Sequence, residues 1–186
     1  MAYFPAFVQL ENKKILIVGG GYIALEKLEK LLDFTNDIFI ISRDFSDDML
    51  KKINENNLKY EQRDYQVGDI ADIAIVIVAV DSLKLQEEIF YESKNYNCLC
   101  NSVDSVKYCD FIFPSYVKRD ELTVAISTSG TSPAFAKHFK NYLSELIPLK
   151  VSAFLKEMKN LRQTLPKGKE RMKMLDEKAK DYVSKL

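Results

Sequence analysis

Long hydrophobic runs are missing from this 186-residue chain. No apolar run approaches the roughly 18 residues that a membrane-spanning helix needs. The N-terminus also lacks the basic start and apolar core of a signal peptide. Net charge is missing too, because 27 Lys and Arg balance 27 Asp and Glu, whereas a general nucleic-acid binder would show a basic excess. The sequence therefore predicts a cytoplasmic chain with neither a membrane nor a nucleic acid as partner.

Cysteine and histidine are scarce. The three cysteines, Cys98, Cys100 and Cys109, are odd in number and clustered, and without a secretion signal we expect reduced thiols. The one histidine, His138, is too far from them for a structural zinc site. We therefore predict no bound metal, with Cys98 and Cys100 as small core residues and His138 as a surface or packing residue.

Strand and helix patterns alternate over the first 114 residues, in a chain of ordinary globular composition with 47% apolar residues. Glycine and polar residues separate the apolar runs. This succession predicts an α/β domain, in which a doubly wound parallel sheet carries helices on both faces. The predicted strands are 14–18, 37–42, 58–62, 73–80, 98–101 and 111–114, and the predicted helices are 22–34, 46–56 and 82–95.

The pattern changes near Pro114. A strand is predicted at 122–127, followed by a loop of small residues. Ser132 then caps a helix that has Pro133 at its first position and runs to Leu146. Beyond Pro148 the pattern is only helical, with helices expected at 151–165 and from 170 to the end. The predicted regions are therefore 1–113, 114–149 and 150–186.

The sharpest local motif runs from Gly19 to Ala24, Gly-Gly-Gly-Tyr-Ile-Ala, between a predicted strand and a predicted helix. It fits the pattern G-x-G-x-x-A. Gly19 would make the tight turn, Gly21 would let the backbone approach a pyrophosphate, and a small residue at Ala24 would let helix and strand pack closely. The motif therefore predicts a dinucleotide site at the N-terminus of the helix.

The end of the second predicted strand bears on the choice of cofactor. A carboxylate there binds the ribose 2′-hydroxyl of NAD, whereas an arginine accommodates the 2′-phosphate of NADP. Both types occur here, as Arg43 and Asp44, and Asp44 follows Gly21 by 23 residues, close to the expected offset of about 20. The choice between NAD and NADP stays open, with NAD preferred.

A further acidic residue, Asp104, follows the predicted strand at 98–101. It should lie at the carboxyl edge of the sheet, where doubly wound folds bind ligands. A carboxylate there can act as a general base or as an electrostatic partner. An aspartate that only caps a turn is the structural alternative, and position alone leaves both open.

Four stretches together resemble a known family, the precorrin-2 dehydrogenase and sirohydrochlorin ferrochelatase module of siroheme synthesis. The resemblance covers essentially the whole chain, and the combination is far more specific than the glycine motif alone. The stretches are Tyr3–Leu10, Ile17–Gly21 followed by Ala24 and Lys27, Cys100–Asp104 followed by Phe111–Ser115, and Val124–Pro133.

The resemblance implies a Rossmann-type doubly wound parallel sheet, then a small α+β dimerisation region and a C-terminal helical region. It implies a homodimer that transfers hydride from precorrin-2 to NAD, giving sirohydrochlorin. Many members of the family then insert ferrous iron, as a chelation substrate, to give siroheme. Nothing in the sequence decides whether this chain keeps the chelatase activity.

The resemblance also implies site residues. Asp104 takes the position of the family's general base. The tetrapyrrole substrate carries many carboxylates, so its cleft needs cations, and Arg119 alone offers a planar fork. The implied cofactor-binding residues are Gly19, Gly21, Tyr22, Ile23, Arg43, Asp44 and Asp81, and the implied substrate-binding residues are Arg119, Ser127, Thr128, Gly130, Thr131 and Ser132.

Two other functions compete with this one. A short-chain dehydrogenase needs a tyrosine with a lysine four residues later, and none of the 10 tyrosines has one. A non-enzymatic NAD-sensing module would need neither an acid at the sheet edge nor the loop at Thr131–Pro133. The acid and the loop therefore favour an enzyme.

Overall fold

The computed structural model describes residues 3–103 and 105–186. The chain forms two compact units, Phe4–Ile112 and Phe113–Leu186, the second taking in Tyr3 as well. The division of the second unit into residues 114–149 and 150–186 stays a prediction.

The first unit is built on a five-stranded parallel sheet in the order β3-β2-β1-β4-β5. In register, Ile15 of β1 pairs with Ile38 of β2 on one side and with Ile75 of β4 on the other. The parallel sheet predicted from the alternating pattern is confirmed, and so is the Rossmann-type fold that the family resemblance implies. The strands are β1 (Ile15–Val18), β2 (Ile38–Ser42), β3 (Lys59–Gln62), β4 (Ile75–Val78) and β5 (Leu99–Ser102).

Three α-helices connect these strands: α1 (Tyr22–Leu32), α2 (Asp47–Glu55) and α3 (Leu83–Asn95). The serines that precede α2 and α3 act as N-caps, because Ser46 Oγ accepts from the Met49 N–H and Ser82 Oγ accepts from the Leu85 N–H, both at 3.3 Å. Right-handed crossovers in this strand order put α1 and α2 on one face of the sheet and α3 on the other.

Both faces of the central strands are buried, as their continuous β-branched sequences predict. Leu16 and Val18 pack with Ile89 of α3 in one cluster, while Ile15 and Ile17 are fully buried on the opposite face, because side chains alternate along a strand. Cys98 and Cys100 belong to the α3-side cluster, which confirms them as small core residues. Burial raises the pKa of their thiols, to about 11 for Cys98 and about 12 for Cys100.

The strand predicted at 111–114 is wrong. That segment is irregular, and the short 3-10 helix Val106–Tyr108, which was not predicted, precedes it. The Phe111 carbonyl accepts a hydrogen bond from Asn101 Nδ2 at 2.7 Å, so a side chain binds that backbone group in place of a strand ladder. Pro114 has no N–H to donate to a ladder.

The second unit starts with an antiparallel hairpin of β6 (Ser115–Arg119) and β7 (Leu122–Ile126). Helix α4 (Pro133–Leu146) follows with Ser132 as its N-cap, as predicted, and then come α5 (Val151–Thr164) and α6 (Lys169–Val183). α5 and α6 pack through stacked rings of Phe154 and Tyr182, with centroids 4.0 Å apart. None of the described helices combines the length and the apolar character that crossing a membrane requires.

Candidate functional site

A cleft of about 730 Å³ lies in the first unit, where β1, β2 and β4 end. The strand order reverses between β1 and β4, and parallel sheets of this kind bind ligands at that point. The structure brings all seven predicted cofactor-binding residues to the lining of this one cleft. They are Gly19, Gly21, Tyr22, Ile23, Arg43, Asp44 and Asp81.

Gly19 makes the turn that follows β1. Its φ is +129°, and a Cβ at this position would lie 2.2 Å from the Ala79 carbonyl oxygen. Its N–H donates to the Ile41 carbonyl at 2.8 Å, while the Ala79 N–H donates to the Val18 carbonyl at 2.8 Å. The ends of β1, β2 and β4 are therefore held so close together that only glycine fits at the turn.

Gly21 lies two residues further on, at the N-cap of α1, in open space. Apart from Gly21 and its two chain neighbours, no described residue has an atom within 4 Å of the position that its Cβ would take. No side chain of the described residues caps α1, in contrast to the serines that cap α2 and α3 in the same unit. The backbone N–H groups in the first turn of α1 are thus available to an anion, which fits the pyrophosphate of a dinucleotide.

The turn after β2 is held in place by side chains. Ser42 Oγ donates to the Asp44 carbonyl at 2.7 Å, and Gln62 Nε2 donates to the Arg43 carbonyl at 3.0 Å. The Arg43 side chain reaches across to β3's end, where its Nε lies 3.3 Å from Asp64 Oδ1. Sequence reasoning missed Asp64, because an acid two residues past the end of β3 comes beside Arg43 only through the pairing of β3 with β2.

Arg63 also lines the cleft and was missed as well. Its Nη1 and Nη2 donate to the two carboxylate oxygens of Asp69 at 2.7 and 2.9 Å, and its Nε donates to Glu61 at 2.5 Å. Hydrogen bonds to Asp69 and then to Glu61 raise the pKa of Arg63. Its backbone N–H donates to the Ser42 carbonyl at 2.9 Å, which fastens it beside β2.

Glu92 of α3 holds the segment that follows Arg63. Its Oε2 accepts from the Tyr65 hydroxyl at 2.8 Å and its Oε1 accepts from the Gly68 N–H at 2.6 Å. Burial, and then the hydrogen bond to Glu92, raise the pKa of Tyr65. The hydroxyl therefore stays a donor, and Glu92 fixes the wall of the cleft that Tyr65 lines.

The turn after β4 carries Asp81, whose side chain is exposed beside the cleft. Gln86, only 1% exposed, donates from Nε2 to the Val80 carbonyl at 2.7 Å. Its Oε1 has no hydrogen-bond partner among the described residues. Gln86 therefore fixes the backbone just ahead of Asp81.

Asp104, the predicted general base, lies outside the described residues. The described residues near it in sequence are tied to one another. The Cys109 thiol donates to the carbonyls of Ser102 and Ser105 at 3.1 and 3.3 Å. Burial raises the pKa of Cys109, which keeps the thiol protonated as a donor. The role of Asp104 stays a prediction.

The predicted substrate loop belongs to the second unit, between β7 and α4. Thr128 Oγ1 accepts from the Ser132 N–H at 3.1 Å, and Ser127 Oγ accepts from the Ser129 N–H at 3.0 Å. Gly130 has a φ of +83°. The hydroxyl oxygens of Ser127, Thr128 and Ser132 thus hold the loop backbone, and Thr131 contributes its N–H to the Thr128 carbonyl at 2.9 Å.

Arg119, the predicted substrate-binding cation, lies at the end of β6. Its Nη2 donates to Ser144 of α4, at 2.7 Å to the hydroxyl and 3.1 Å to the carbonyl. The guanidinium therefore already has a partner inside its own unit, and its contact with substrate stays a prediction. Within the described ranges no group of three or more His, Cys, Asp or Glu is placed to hold a metal ion, and His138 lies exposed on α4.

Comparison with known proteins places this site in a family. The model of the family described as "Putative NAD(P)-binding" matches residues 6–115, more than half of the chain. The chain belongs to this NAD(P)-binding family. The match contains every residue that lines the cleft.

This NAD(P)-binding chain is also similar to longer proteins named siroheme synthase. It is 34% identical over 148 residues to that of Pseudoalteromonas translucida (strain TAC 125), covering 80% of this chain and 31% of the relative. It is 32% identical over 165 residues to that of Pseudoalteromonas atlantica (strain T6c / ATCC BAA-1087), covering 89% of this chain and 36% of the relative. The chain spans about a third of the length of these relatives. The predicted resemblance to the siroheme-synthesis module is confirmed.

A solved structure named "SirC, precorrin-2 dehydrogenase" has the same fold as this NAD(P)-binding chain. The TM-score is 0.77 at 22% sequence identity, over 94% of this chain and 88% of that one. The likeness therefore extends beyond the Rossmann-type sheet to the small antiparallel hairpin and the C-terminal helices, which confirms the predicted fold class.

Proposed function

We propose that this chain is an NAD-dependent dehydrogenase that oxidises precorrin-2 to sirohydrochlorin in siroheme biosynthesis. The observation that carries the proposal is the cleft, where a glycine turn and the uncapped N-terminus of α1 face the ends of β2 and β4. The similarity to siroheme synthases and to a precorrin-2 dehydrogenase supports the choice of substrate. The proposal includes a cytoplasmic location, where the three free thiols stay reduced.

Different residues of the cleft would bind different parts of the cofactor. The backbone N–H groups at Gly21, Tyr22 and Ile23 would bind the pyrophosphate, because they lie in the uncapped first turn of α1. The carboxylate of Asp44 would accept a hydrogen bond from the ribose 2′-hydroxyl. Gly19 keeps the turn tight enough for this approach.

The reaction converts precorrin-2 and NAD⁺ to sirohydrochlorin, NADH and a proton. The chemistry that NAD supplies when bound is acceptance of the hydride. The proton has to leave by another route, and Asp104 would take it as the general base.

Substrate binding would fall to the second unit. The loop from Ser127 to Ser132 offers hydroxyl groups whose oxygens already accept from backbone N–H groups, which leaves each O–H able to donate to a carboxylate. Arg119 would add a charged fork if a substrate carboxylate replaced Ser144 as its acceptor. Both features suit a substrate that carries many carboxylates.

The proposal includes a homodimer. Four large apolar side chains of α4 are exposed along one face: Phe135, Phe139, Tyr142 and Leu146. The ring centroids of Phe135 and Phe139 are 5.5 Å apart, and those of Phe139 and Tyr142 are 6.1 Å apart. Their spacing of four, three and four residues is that of a helix seam that a second copy would bury.

Analytical ultracentrifugation tests the dimer. Phe139→Glu should convert the dimer to a monomer, because a carboxylate would be buried in the seam. Asn141→Glu is the matched control, since Asn141 is exposed on the other side of the same helix and acquires the same charge. A wild-type chain that sediments as a monomer would contradict this part of the proposal.

The name of the relatives favours a second activity. Siroheme is the iron complex of sirohydrochlorin, and proteins 34% and 32% identical to this chain are named siroheme synthase. We therefore propose that the chain also inserts ferrous iron into sirohydrochlorin, with the iron as substrate. Asp104 would accept the pyrrole protons that chelation releases.

One anaerobic assay tests both activities. Precorrin-2 and NAD are mixed with the protein and followed spectroscopically, and ferrous ion is then added. Wild type should form NADH and then siroheme. Asp104→Ala should bind NAD and form no NADH, whereas the control Asp72→Ala, an exposed residue that does not line the cleft, should match wild type. NAD binding by the wild type without turnover would favour the NAD-sensing module instead.

A further inference from the structure

Two arginines, Arg43 and Arg63, line the cleft where β2 and β3 end. An arginine at the end of β2 is the group that accommodates the 2′-phosphate of NADP in this kind of fold, whereas a carboxylate binds the 2′-hydroxyl of NAD. The choice between the two cofactors therefore depends on whether either guanidinium is available to a phosphate.

Arg63 is already committed to other partners. A guanidinium has five N–H donors, and four hydrogen bonds to protein acceptors already engage Arg63 here. Its Nε donates to Glu61 at 2.5 Å, its Nη1 donates to Asp69 at 2.7 Å and to the Asp64 carbonyl at 3.0 Å, and its Nη2 donates to Asp69 at 2.9 Å. A phosphate would have to displace a bidentate carboxylate to be recognised by Arg63.

Among residues 3–103 and 105–186, the ion-pair partner of the Arg43 side chain is Asp64. Its Nε lies 3.3 Å from Asp64 Oδ1, and the two side chains are 73% and 76% exposed. The pairing of β2 with β3 brings Asp64 beside Arg43, and Gln62 fixes the Arg43 backbone at 3.0 Å. Exposed pairs of this kind are weak, so a phosphate could compete for Arg43 if it met no other obstacle.

The negative charge around Arg43 opposes the binding of a phosphate there. Asp44 and Asp64 both line the cleft beside it, and Asp69 and Glu61 neutralise Arg63. A carboxylate about 6 Å from a phosphate of nearly two negative charges lowers affinity about tenfold in a water-like dielectric. The 2′-hydroxyl of NAD carries no charge and meets no such repulsion.

We propose that Asp64 makes this cleft selective for NAD over NADP, because it occupies Arg43 and adds a negative charge where the 2′-phosphate would bind. The inference rests on the proposed function, in which this cleft binds the dinucleotide. It assigns specificity to a residue outside the glycine motif and outside the turn after β2.

The test compares dissociation constants for NADH and NADPH, measured by fluorescence titration of the full chain. Asp64→Asn keeps the size of the side chain and removes the charge. The ratio of the NADPH constant to the NADH constant should fall by more than tenfold, because one lost charge repulsion accounts for about tenfold and the released Arg43 adds a charge-assisted contact to the phosphate. Asp72→Asn removes the same charge from an exposed position outside the cleft, and its ratio should equal that of wild type.

A second pair of variants tests whether the gain in NADPH affinity relative to NADH depends on Arg43. Arg43→Gln is made in the wild-type chain and in the Asp64→Asn chain, and circular dichroism verifies that each variant is folded. If the Arg43 side chain binds the 2′-phosphate once Asp64 no longer occupies it, the double variant should show a gain in relative NADPH affinity of only about tenfold, the part that the lost charge repulsion predicts. Arg43→Gln alone should change the wild-type ratio by less than threefold.

The outcomes separate this inference from the function on which it rests. An unchanged ratio in Asp64→Asn, with NADH still bound, overturns the inference and leaves the proposed function standing. A gain in the double variant as large as that of Asp64→Asn alone also overturns it, because Arg43 would then have no part in the selection. A wild-type chain that binds neither NADH nor NADPH overturns both.

Discussion

Replacing Gly21 by aspartate should stabilise the fold and abolish cofactor binding. Gly21 is the N-cap of α1 at φ −89° and ψ −170°, an extended conformation that aspartate adopts readily. Beyond its two chain neighbours, no residue in the described part of the chain has an atom within 4 Å of its Cβ position. Aspartate caps helices better than glycine by a few tenths of a kcal/mol and interacts favourably with the helix dipole, so the free energy of unfolding should rise by about 0.5–1 kcal/mol.

The same carboxylate should prevent the pyrophosphate from binding. It would accept from the N–H groups that the pyrophosphate needs, and losing one charge-assisted hydrogen bond costs about 1.5–3 kcal/mol. Two negative charges at about 5 Å from the carboxylate add about 1.7 kcal/mol of repulsion in a water-like dielectric. Together these costs predict an affinity for NADH at least about 100-fold below that of wild type.

Thermal unfolding of the free protein and fluorescence titration with NADH measure the two effects separately. Gly21→Asn is the matched control, because asparagine also caps the helix but adds no charge. It should be stabilised and should lose less affinity than Gly21→Asp. If Gly21→Asp binds NADH within threefold of wild type, the first turn of α1 is not where the pyrophosphate binds.

Two further predictions concern the unit Phe4–Ile112. Gly19→Ala should lower the free energy of unfolding by at least about 1–3 kcal/mol, because its Cβ would lie 2.2 Å from a backbone oxygen at a positive φ; urea unfolding measures this, and a loss below 0.5 kcal/mol would contradict it. Cys98 and Cys100, whose pKa values are raised by burial to about 11 and about 12, should resist iodoacetamide at pH 8 until the protein unfolds. Because the unfolded thiols release protons near pH 9 and the folded ones do not, stability should fall as pH rises from 9 to 12, as pH-dependent melts would reveal.

The fold was predictable where the residues of one short segment determine the structure of that segment. The apolar runs of β1 and β4 are buried on both faces, and Ser46, Ser82 and Ser132 begin helices as their position suggests. The segment 111–114 was mistaken for a strand because its apolar character is strand-like. The Phe111 carbonyl instead accepts a hydrogen bond from the side-chain amide of Asn101, ten residues earlier, and a periodic sequence pattern does not reveal such a contact.

The site was predictable to the same extent. The glycine turn and the end of β2 follow spacing rules that a sequence displays directly. Asp64 and Arg63 were missed because the pairing of β3 with β2 brings them to the cleft. Glu92 was missed because it supports the cleft wall from 24 residues away, by accepting a hydrogen bond from the Gly68 N–H. Such neighbours become visible only once the strands are placed.

The zero net charge of the chain is the sum of opposite net charges on its two units. Residues 4–112 hold 12 Lys and Arg against 19 Asp and Glu, a net charge of −7, and residues 113–186 hold 15 against 8, a net charge of +7. An anionic dinucleotide therefore binds to an acidic unit, so its affinity has to come from local donors at the N-terminus of α1 and not from the field of the unit as a whole. The same acidic field penalises the extra phosphate of NADP, in agreement with the role inferred for Asp64. Under the proposed function, a substrate with many carboxylates would have the opposite requirement, which the basic second unit, carrying the loop from Ser127 to Ser132, would meet.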